Sequence, residues 1–184
     1  DSSVIRRIEV LPSALSDAIE FLIENLRPED VEEAEEWGLE KDDLLLNLPM
    51  FTSGPSWVVY YNHEPIFAMG LYPTHHRAYN VWGFGTPAAN RHMGELGRWM
   101  CAHWFEEVFH MIGARRIEVK VPMKSERAWS WLMWLGAKLD CKLKRFGVRG
   151  EDFLLLSYTD EDYRNTCACS ARKAAARCLS PAHP

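Results

Sequence analysis

The fold of this chain is decided by residues 78–94, which read AYNVWGFGTPAANRHMG. The first nine of these residues are rich in aromatic and β-branched side chains and predict a strand. Thr86 and Pro87 then predict the start of a helix, because proline is favoured in the first helical turn. The helical pattern covers 88–112, and Gly113 ends it as a C-terminal cap. The segment therefore predicts a strand that passes directly into a long helix.

Upstream of this segment the periodicity of apolar residues predicts further elements. They are a strand at 4–10, helices at 15–26, 29–36 and 40–48, and strands at 57–61 and 65–71. Asn62-His63-Glu64 separates the last two strands and predicts a hairpin turn. Pro28 suits the first turn of the acidic helix that follows it.

Downstream, the pattern predicts a strand at 116–121, a helix at 125–135 and two closing strands at 138–146 and 153–158. The order predicts an α+β domain over residues 1–159, with a mixed, mainly antiparallel sheet of six to seven strands and helices on both faces. Residues 160–184 are predicted to be an appended basic tail that contains Cys and Ala.

Composition bounds the class of protein. The chain has 184 residues, of which 47% are hydrophobic and 26% charged, an ordinary globular mixture that excludes wholesale disorder and collagen. It has no run of 18 apolar residues, so we expect no membrane insertion. The start, Asp1-Ser2-Ser3, has no signal-peptide pattern. Five cysteines without a paired framework favour a reducing compartment.

Charge is unevenly distributed along the chain. Residues 1–50 hold four Lys/Arg and fourteen Asp/Glu, a net charge of −10, whereas residues 111–184 hold fourteen and eight, a net charge of +6. From Arg164 onward the tail has four basic residues and no acidic one. We expect the tail to contact an acidic protein surface or DNA phosphates. The opposite charges of residues 1–50 and 111–184 are also explained as two solvated faces of one protein.

The order of elements resembles the GNAT N-acetyltransferase fold over residues 4–159. GNAT enzymes carry Arg/Gln-x-x-Gly-x-Gly/Ala where the fourth strand enters the long helix, and backbone N–H groups there hold the pyrophosphate of acetyl-CoA. Arg91 and Gly94 match the first and fourth positions, and Leu96 replaces the small sixth residue. The resemblance implies that Arg91 and Gly94 are a vestigial acetyl-CoA loop.

A second segment, from Ser125 to Ala137, resembles the Asn-x-x-Ala-x-x-x-Tyr-x-x-x-Gly-Phe stretch of the same family. Leu132 stands where the family often has a tyrosine that protonates the departing thiolate. The predicted strand 78–86 offers no carboxylate to deprotonate an amine, and Glu118 is the nearest alternative. These replacements favour a protein with no catalytic residues and no expected cofactor.

Short segments, among them Pro65–Gly70, Val81–Thr86 and Trp131–Ala137, resemble GNAT-related internal virion proteins of short-tailed phages. That resemblance implies a structural or virion-assembly role, in the virion interior or in the host cytoplasm during assembly. The partners would be other virion or assembly proteins, or a second copy of the chain. The alternative is an acetyl-CoA-dependent N-acetyltransferase that acts on a protein.

The predicted helix at 128–135, AWSWLMWL, is apolar on nearly every side. One core-facing stripe does not bury all of it, so Trp129, Trp131, Met133 and Trp134 are predicted to form an interface. On the long helix, His103, Glu106, Glu107 and His110 share one face at a spacing that suits zinc or iron. A solvated polar face explains these four residues without a metal ion, and no metal site is expected.

Overall fold

The computed structural model describes residues 8–12, 16–51 and 53–165. Its strands are β1 (Glu9–Pro12), β2 (Ser56–Tyr61), β3 (Glu64–His75), β4 (Ala78–Gly85), β5 (Arg116–Pro122), β6 (Lys138–Leu143) and β7 (Phe153–Thr159). Its helices are α1 (Ser16–Glu24), α2 (Pro28–Glu36), α3 (Lys41–Leu46), α4 (Leu48–Phe51), α5 (Met93–Trp99), α6 (Glu126–Trp134) and α7 (Asp160–Asn165).

The sheet has seven strands in the order β1-β2-β3-β4-β5-β7-β6. The pairs β1/β2, β2/β3, β5/β7 and β6/β7 are antiparallel, and β4/β5 is parallel. The predicted α+β class with a mixed, mainly antiparallel sheet is therefore confirmed. The parallel pairing joins Ala78–Asn80 to Arg116–Glu118.

The chain forms two compact units. The first comprises the described residues within 1–72, 81–92 and 147–149, and the second comprises those within 73–80, 93–146 and 150–184. In the first unit, α1 buries Ile19, Leu22 and Ile23 against apolar side chains of the sheet, which include Val58, Ala68 and Phe84. Gly70 leaves room for the Trp82 ring, because a Cβ at Gly70 would lie 2.4 Å from that ring.

The core of the second unit is largely aromatic. Tyr158 of β7 stacks on Phe105 and Phe109, with ring centroids 4.7 and 5.6 Å away. Gly136 follows α6 with a φ of +106°, and a Cβ there would lie 2.7 Å from the Tyr158 ring. A residue with a side chain would be both strained and in collision at this position.

The predicted helix at 88–112 differs from the structure in its first part. Residues Pro87–Arg91 form a 3₁₀ turn, whose Ala89 and His92 N–H groups bond to carbonyls three residues earlier. Helix α5 begins only at Met93, and π-helical turns at Met100–Trp104 and Glu107–Met111 continue it. The turn breaks the regular helix because His92 departs from helical geometry, with φ −115° and ψ 2°.

Three other boundaries differ from prediction. Strand β6 ends at Leu143, because Arg145 turns the chain with a φ of 53° and donates its N–H to the Asp152 side chain. Strand β1 starts at Glu9, and residues 4–7 of the predicted strand lie outside the described residues. Residues 160–165, which we assigned to the tail, form α7; the rest of the tail lies outside the described residues, as does its predicted contact with DNA. No described helix combines the length and the apolar character needed to cross a membrane.

Candidate functional site

The start of α2 is joined to the end of β4 within the first unit. The backbone N–H of Arg27 donates to the Gly85 carbonyl at 2.9 Å. In return, the backbone N–H of Gly85 donates to Oδ2 of Asp30 at 2.8 Å. Arg27 is extended and Pro28 begins the helix, as proline at this position favours. We call this group of contacts the α2–β4 junction.

The guanidinium of Arg27 extends the junction to the turn after β4. Its Nε and Nη2 donate to the two oxygens of Asp30 at 2.7 and 3.3 Å. Its Nη1 donates to Oδ1 of Asn90 at 2.9 Å, and its Cζ lies 5.4 Å from the centre of the Phe67 ring. Asn90 in turn donates to Glu29 at 2.9 Å. A planar group with several donors in fixed directions is required to make these contacts together.

Three carboxyl groups follow one another at every third residue of α2. Asp30 and Glu36 are 8% and 2% exposed, and Glu33 between them is half-buried. Burial raises the pKa of Asp30, although Arg27 and the Gly85 N–H act against it. Burial, together with the charges of Asp30 and Glu36, raises the pKa of Glu33 to about 8. Glu33 is therefore able to exchange a proton near neutral pH.

The first turn of α5, in the second unit, leaves backbone open to solvent. Gly94 is exposed, and the nearest atom to a Cβ built there is Nη1 of Arg98, 3.8 Å away. The first N–H groups of a helix have no intrahelical acceptor and attract anions. Within the described part of the chain, neither Arg98 nor Arg91 makes an ion pair, and both are exposed. The residues at this turn fit a phosphate group that approaches the backbone closely.

Leu96, the bulky residue in the motif, does not obstruct this turn. Its side chain is 1% exposed and lies in the core of the second unit. Gly97, which follows it, is the position where a small residue is required: a Cβ there would lie 2.6 Å from the Trp134 ring and 3.3 Å from Leu135. The departure from the family motif at Leu96 is thus a packing feature of the helix.

The four residues of the predicted interface on α6 fall into two pairs. Trp129 and Trp131 are half-buried and donate their indole N–H groups to the carbonyls of Met123 and Met93, at 3.0 and 3.2 Å. Met133 and Trp134 are 43% and 61% exposed. The interface role remains a prediction for all four.

Glu118 and Glu106, two other candidate residues predicted from the sequence, form hydrogen bonds and ion pairs with neighbouring side chains. Glu118 on β5 accepts from Nε of Arg116 at 3.0 Å and lies 3.8 Å from Nζ of Lys120. Glu106, between the two π-helical turns that follow α5, accepts a hydrogen bond from Tyr163 and lies 2.8 Å from Nδ1 of His110. Among residues 8–12, 16–51 and 53–165, no group of three or more His, Cys, Asp or Glu is arranged to hold a metal ion. Leu132 is half-buried at the position where the resemblance implies a tyrosine.

The carboxylates of α2 are candidate functional residues that the sequence analysis does not identify. Strand 78–86 contains no carboxylate, whereas the fold brings Asp30 to the end of that strand from 55 residues away. The signal in the sequence is the three-residue spacing of Asp30, Glu33 and Glu36, which places them near one side of a helix. The concentration of charge predicts only an acidic, solvated helix.

Neither a protein-family model nor a curated protein matches the chain. Solved structures do. A structure described as a putative acetyltransferase has a TM-score of 0.69 and 16% identity, over 96% of this chain and 93% of that one. Mycobacterium smegmatis RimJ in complex with CoA-disulfide has a TM-score of 0.66 and 19% identity, over 92% and 89%.

Spermidine N-acetyltransferase from Vibrio cholerae, in complex with CoA and spermine, has a TM-score of 0.64 and 16% identity, over 86% of this chain and 99% of that one. Identity at this level shows the fold and no more, and the comparisons carry nothing on phage virion proteins. The chain has the GNAT acetyltransferase fold.

Proposed function

We propose that this chain is an acetyl-CoA-dependent N-acetyltransferase. The observation that carries the proposal is the open first turn of α5, where Gly94 is exposed and the nearest atom to a Cβ built there is Nη1 of Arg98, 3.8 Å away. A helix start of this kind binds phosphate through its N–H groups and its dipole. Arg91, three residues earlier in the chain, adds a second exposed cation. Two proteins of the same fold, RimJ and the spermidine acetyltransferase, were solved with CoA or a CoA derivative.

Glu33 is the group of the first unit whose pKa suits proton transfer. The acceptor amine reaches the protein as an ammonium ion and has to lose a proton before its nitrogen attacks the acetyl carbonyl. A carboxyl whose pKa is about 8 is a strong base for its class, and its ionised form, which predominates above about pH 8, takes up that proton. Acetyl-CoA supplies an acetyl thioester, whose thiolate leaves readily because thiols have a pKa near ~8.5. Leu132 in place of a tyrosine therefore does not exclude the reaction.

The acceptor that the charges favour is a primary amine with positive charge around it. Residues 1–50 carry a net charge of −10, and α2 concentrates carboxyl groups beside the end of β4. Long-range attraction of this kind speeds the encounter with cations. Lysine side chains of a protein and polyamines both belong to this class.

Thiol release from acetyl-CoA in the presence of such amines tests the proposal. We expect the parent protein to release thiol with a basic peptide or a polyamine, and Gly94→Trp to abolish the release, because the indole fills the open turn. Gly94→Ala is the matched control: its methyl group meets only the end of Arg98, so the variant should keep most of the activity. No release by the parent protein with any amine of the panel would contradict the proposal.

A second proposal is a protein-contact role without catalysis, as in the internal virion proteins that the sequence resembles. The observation in its favour is the exposure of Met133 and Trp134 on α6, since exposed Trp and Met are frequent in interfaces. Light scattering distinguishes the two proposals. Self-association that Trp134→Ser abolishes, in a protein that binds no acetyl-CoA, would support the contact role, and a monomer at all concentrations would count against self-association.

A further inference from the structure

We propose that Arg27 is a positioning residue, which holds the turn Thr86–Arg91 in the conformation from which Arg91 reaches the phosphates of acetyl-CoA. This inference rests on the proposed function and adds to it a residue that lies outside the family motif. We refer to residues 86–91 as the phosphate turn. The turn ends in Arg91, so its conformation fixes where the arginine of the motif emerges.

The two ends of the phosphate turn are held in different ways. Its beginning is held by backbone, through Thr86 N–H to the Ile66 carbonyl at 2.9 Å and through the Arg27–Gly85 bond of the junction. Its end is held by side chains, because Asn90 accepts from Arg27 and donates to Glu29. The ring of His92 adds a contact with Tyr61, with 4.2 Å between the ring centroids. Removal of the Asn90 side chain therefore loosens only the end of the turn.

Arg27 connects the beginning and the end of the phosphate turn. The guanidinium is 13% exposed, and one planar group reaches Asp30 on one side and Asn90 on the other. Asp30 also binds the N–H of Gly85, the last residue of β4. Through Arg27, the strand end and the end of the turn thus share one rigid network. Lysine in its place would keep the charge and lose the fixed fork.

Arg27 pairs with a buried carboxylate, so its charge also contributes to the stability of the folded chain. Asp30 is nearly buried, and a buried carboxylate without its cation is costly. A purely structural role for Arg27 would rest on this pair alone. The contact with Asn90 would then be incidental, and its removal would leave acetyl-CoA binding unchanged. Asn90 therefore separates positioning from stability, because Asn90→Ala leaves the Arg27–Asp30 pair intact.

The experiment measures acetyl-CoA binding by calorimetry for the full chain and for Asn90→Ala, Arg27→Lys and a matched control, Asn47→Ala. Asn47 also lies in the first unit and donates to a carbonyl at 2.7 Å, at the end of α3. We expect Asn90→Ala and Arg27→Lys to raise the Kd about tenfold, the size of effect of one hydrogen bond to a charged group. Asn47→Ala should leave the Kd within about twofold of the parent value.

Hydrogen exchange of the protein without acetyl-CoA gives a second readout. We expect Asn90→Ala to speed exchange at the amides of residues 88–92 and to leave the amides of β2 unchanged. In steady-state kinetics, the KM for acetyl-CoA should rise while the KM for the amine stays constant.

The outcomes separate the two proposals. If the parent protein binds no acetyl-CoA, the proposed function fails and the role of Arg27 fails with it. If the parent protein binds acetyl-CoA and Asn90→Ala and Arg27→Lys bind it equally well, or exchange at 88–92 is unchanged, the positioning role is overturned and the proposed function stands.

Discussion

In most folded proteins charged side chains are exposed and large apolar side chains are buried. The α2–β4 junction departs from this pattern through buried charges, and helix α6 departs from it through an exposed apolar side chain. At the junction, charged side chains are withdrawn from water: Asp30 is 8% exposed and Arg27 13%. On α6, Trp134 is 61% exposed although tryptophan has the largest apolar side chain. Buried polar groups and exposed large apolar groups are the informative exceptions in a folded protein. The first kind here joins the start of α2 to the end of β4, and the second kind leaves a large apolar side chain in contact with water.

The two regions also differ in what holds them. Each charge at the junction has a hydrogen-bonding partner from another element, so its members depend on one another. The exposed residues of α6 contribute little to the folded chain beyond the contact of Trp134 with Gly97. Substitutions should therefore be costly at the junction and mild on α6.

The largest effect is expected from Arg27→Met. The change leaves Asp30 buried without its cation, which should lower the free energy of unfolding by about 3–5 kcal/mol. Urea denaturation measures the loss. Arg27→Met combined with Asp30→Asn removes both charges and should recover part of the stability. A decrease of less than about 1 kcal/mol in the free energy of unfolding of Arg27→Met alone would show that the two charges are not coupled.

Glu33→Gln is expected to act on catalysis. Removal of the proton acceptor should lower kcat/KM at pH 8 about 100-fold, within the range for loss of general base catalysis. In the parent protein kcat/KM should rise with pH towards a plateau above about pH 8, where Glu33 is ionised. An unchanged pH profile in Glu33→Gln would remove Glu33 from the mechanism.

The pH dependence of stability gives a third test, with a defined sign. The pKa of Glu33 is about 8 in the folded chain against an ordinary 4.5, so the folded state keeps a proton that the unfolded state releases between these values. Stability should therefore fall as pH rises from about 4.5 to about 8 and then level off.

Glu33→Gln abolishes this proton release and should be more stable than the parent protein by about 1–3 kcal/mol at pH 9, with partial exposure reducing the full effect. At pH 4 the two should be equal within about 0.5 kcal/mol. Glu32→Gln, on the exposed side of α2, is the matched control. A parent protein that is no less stable at pH 9 than at pH 5 would contradict the assignment.

The smallest effect is expected on α6. Trp134→Ser should change the free energy of unfolding by no more than about 0.5–1 kcal/mol, because most of the ring is in water. Leu135→Ser is the contrast on the same helix end, since Leu135 is 5% exposed. Leu135→Ser should lower the free energy of unfolding several times more than Trp134→Ser. Equal losses of stability for the two variants in urea denaturation would show that the exposed and buried sides of α6 do not differ in their contribution.

The sequence allowed prediction of the features that depend on neighbouring residues. The hairpin of β2 and β3 follows from Asn62 and His63, which adopt φ values of 53° and 65°. Helix α2 begins at Pro28 as predicted. The 3₁₀ turn before α5 was not predicted, because its alanines and Asn90 fit a regular helix equally well in sequence. Nor was the junction, because Gly85 and Asp30 meet only after the sheet has formed.

The structure changes what the departures from the family motif imply. Leu96 counts against a phosphate loop when the motif is compared letter by letter, yet its side chain lies in the core. Strand 78–86 lacks a carboxylate, and Glu33 of α2 is the group that we propose in its place. Leu132 remains the one replacement without a substitute among the described residues, and it bears on the leaving group alone.

Calorimetric titration of the parent protein and of Gly94→Trp with acetyl-CoA tests the central claim most directly. The predicted result is micromolar binding at one site by the parent protein and no detectable binding by Gly94→Trp, while both proteins unfold at the same urea concentration. Absence of binding by the parent protein, or equal binding by both, would contradict the assignment of the first turn of α5 as the acetyl-CoA site.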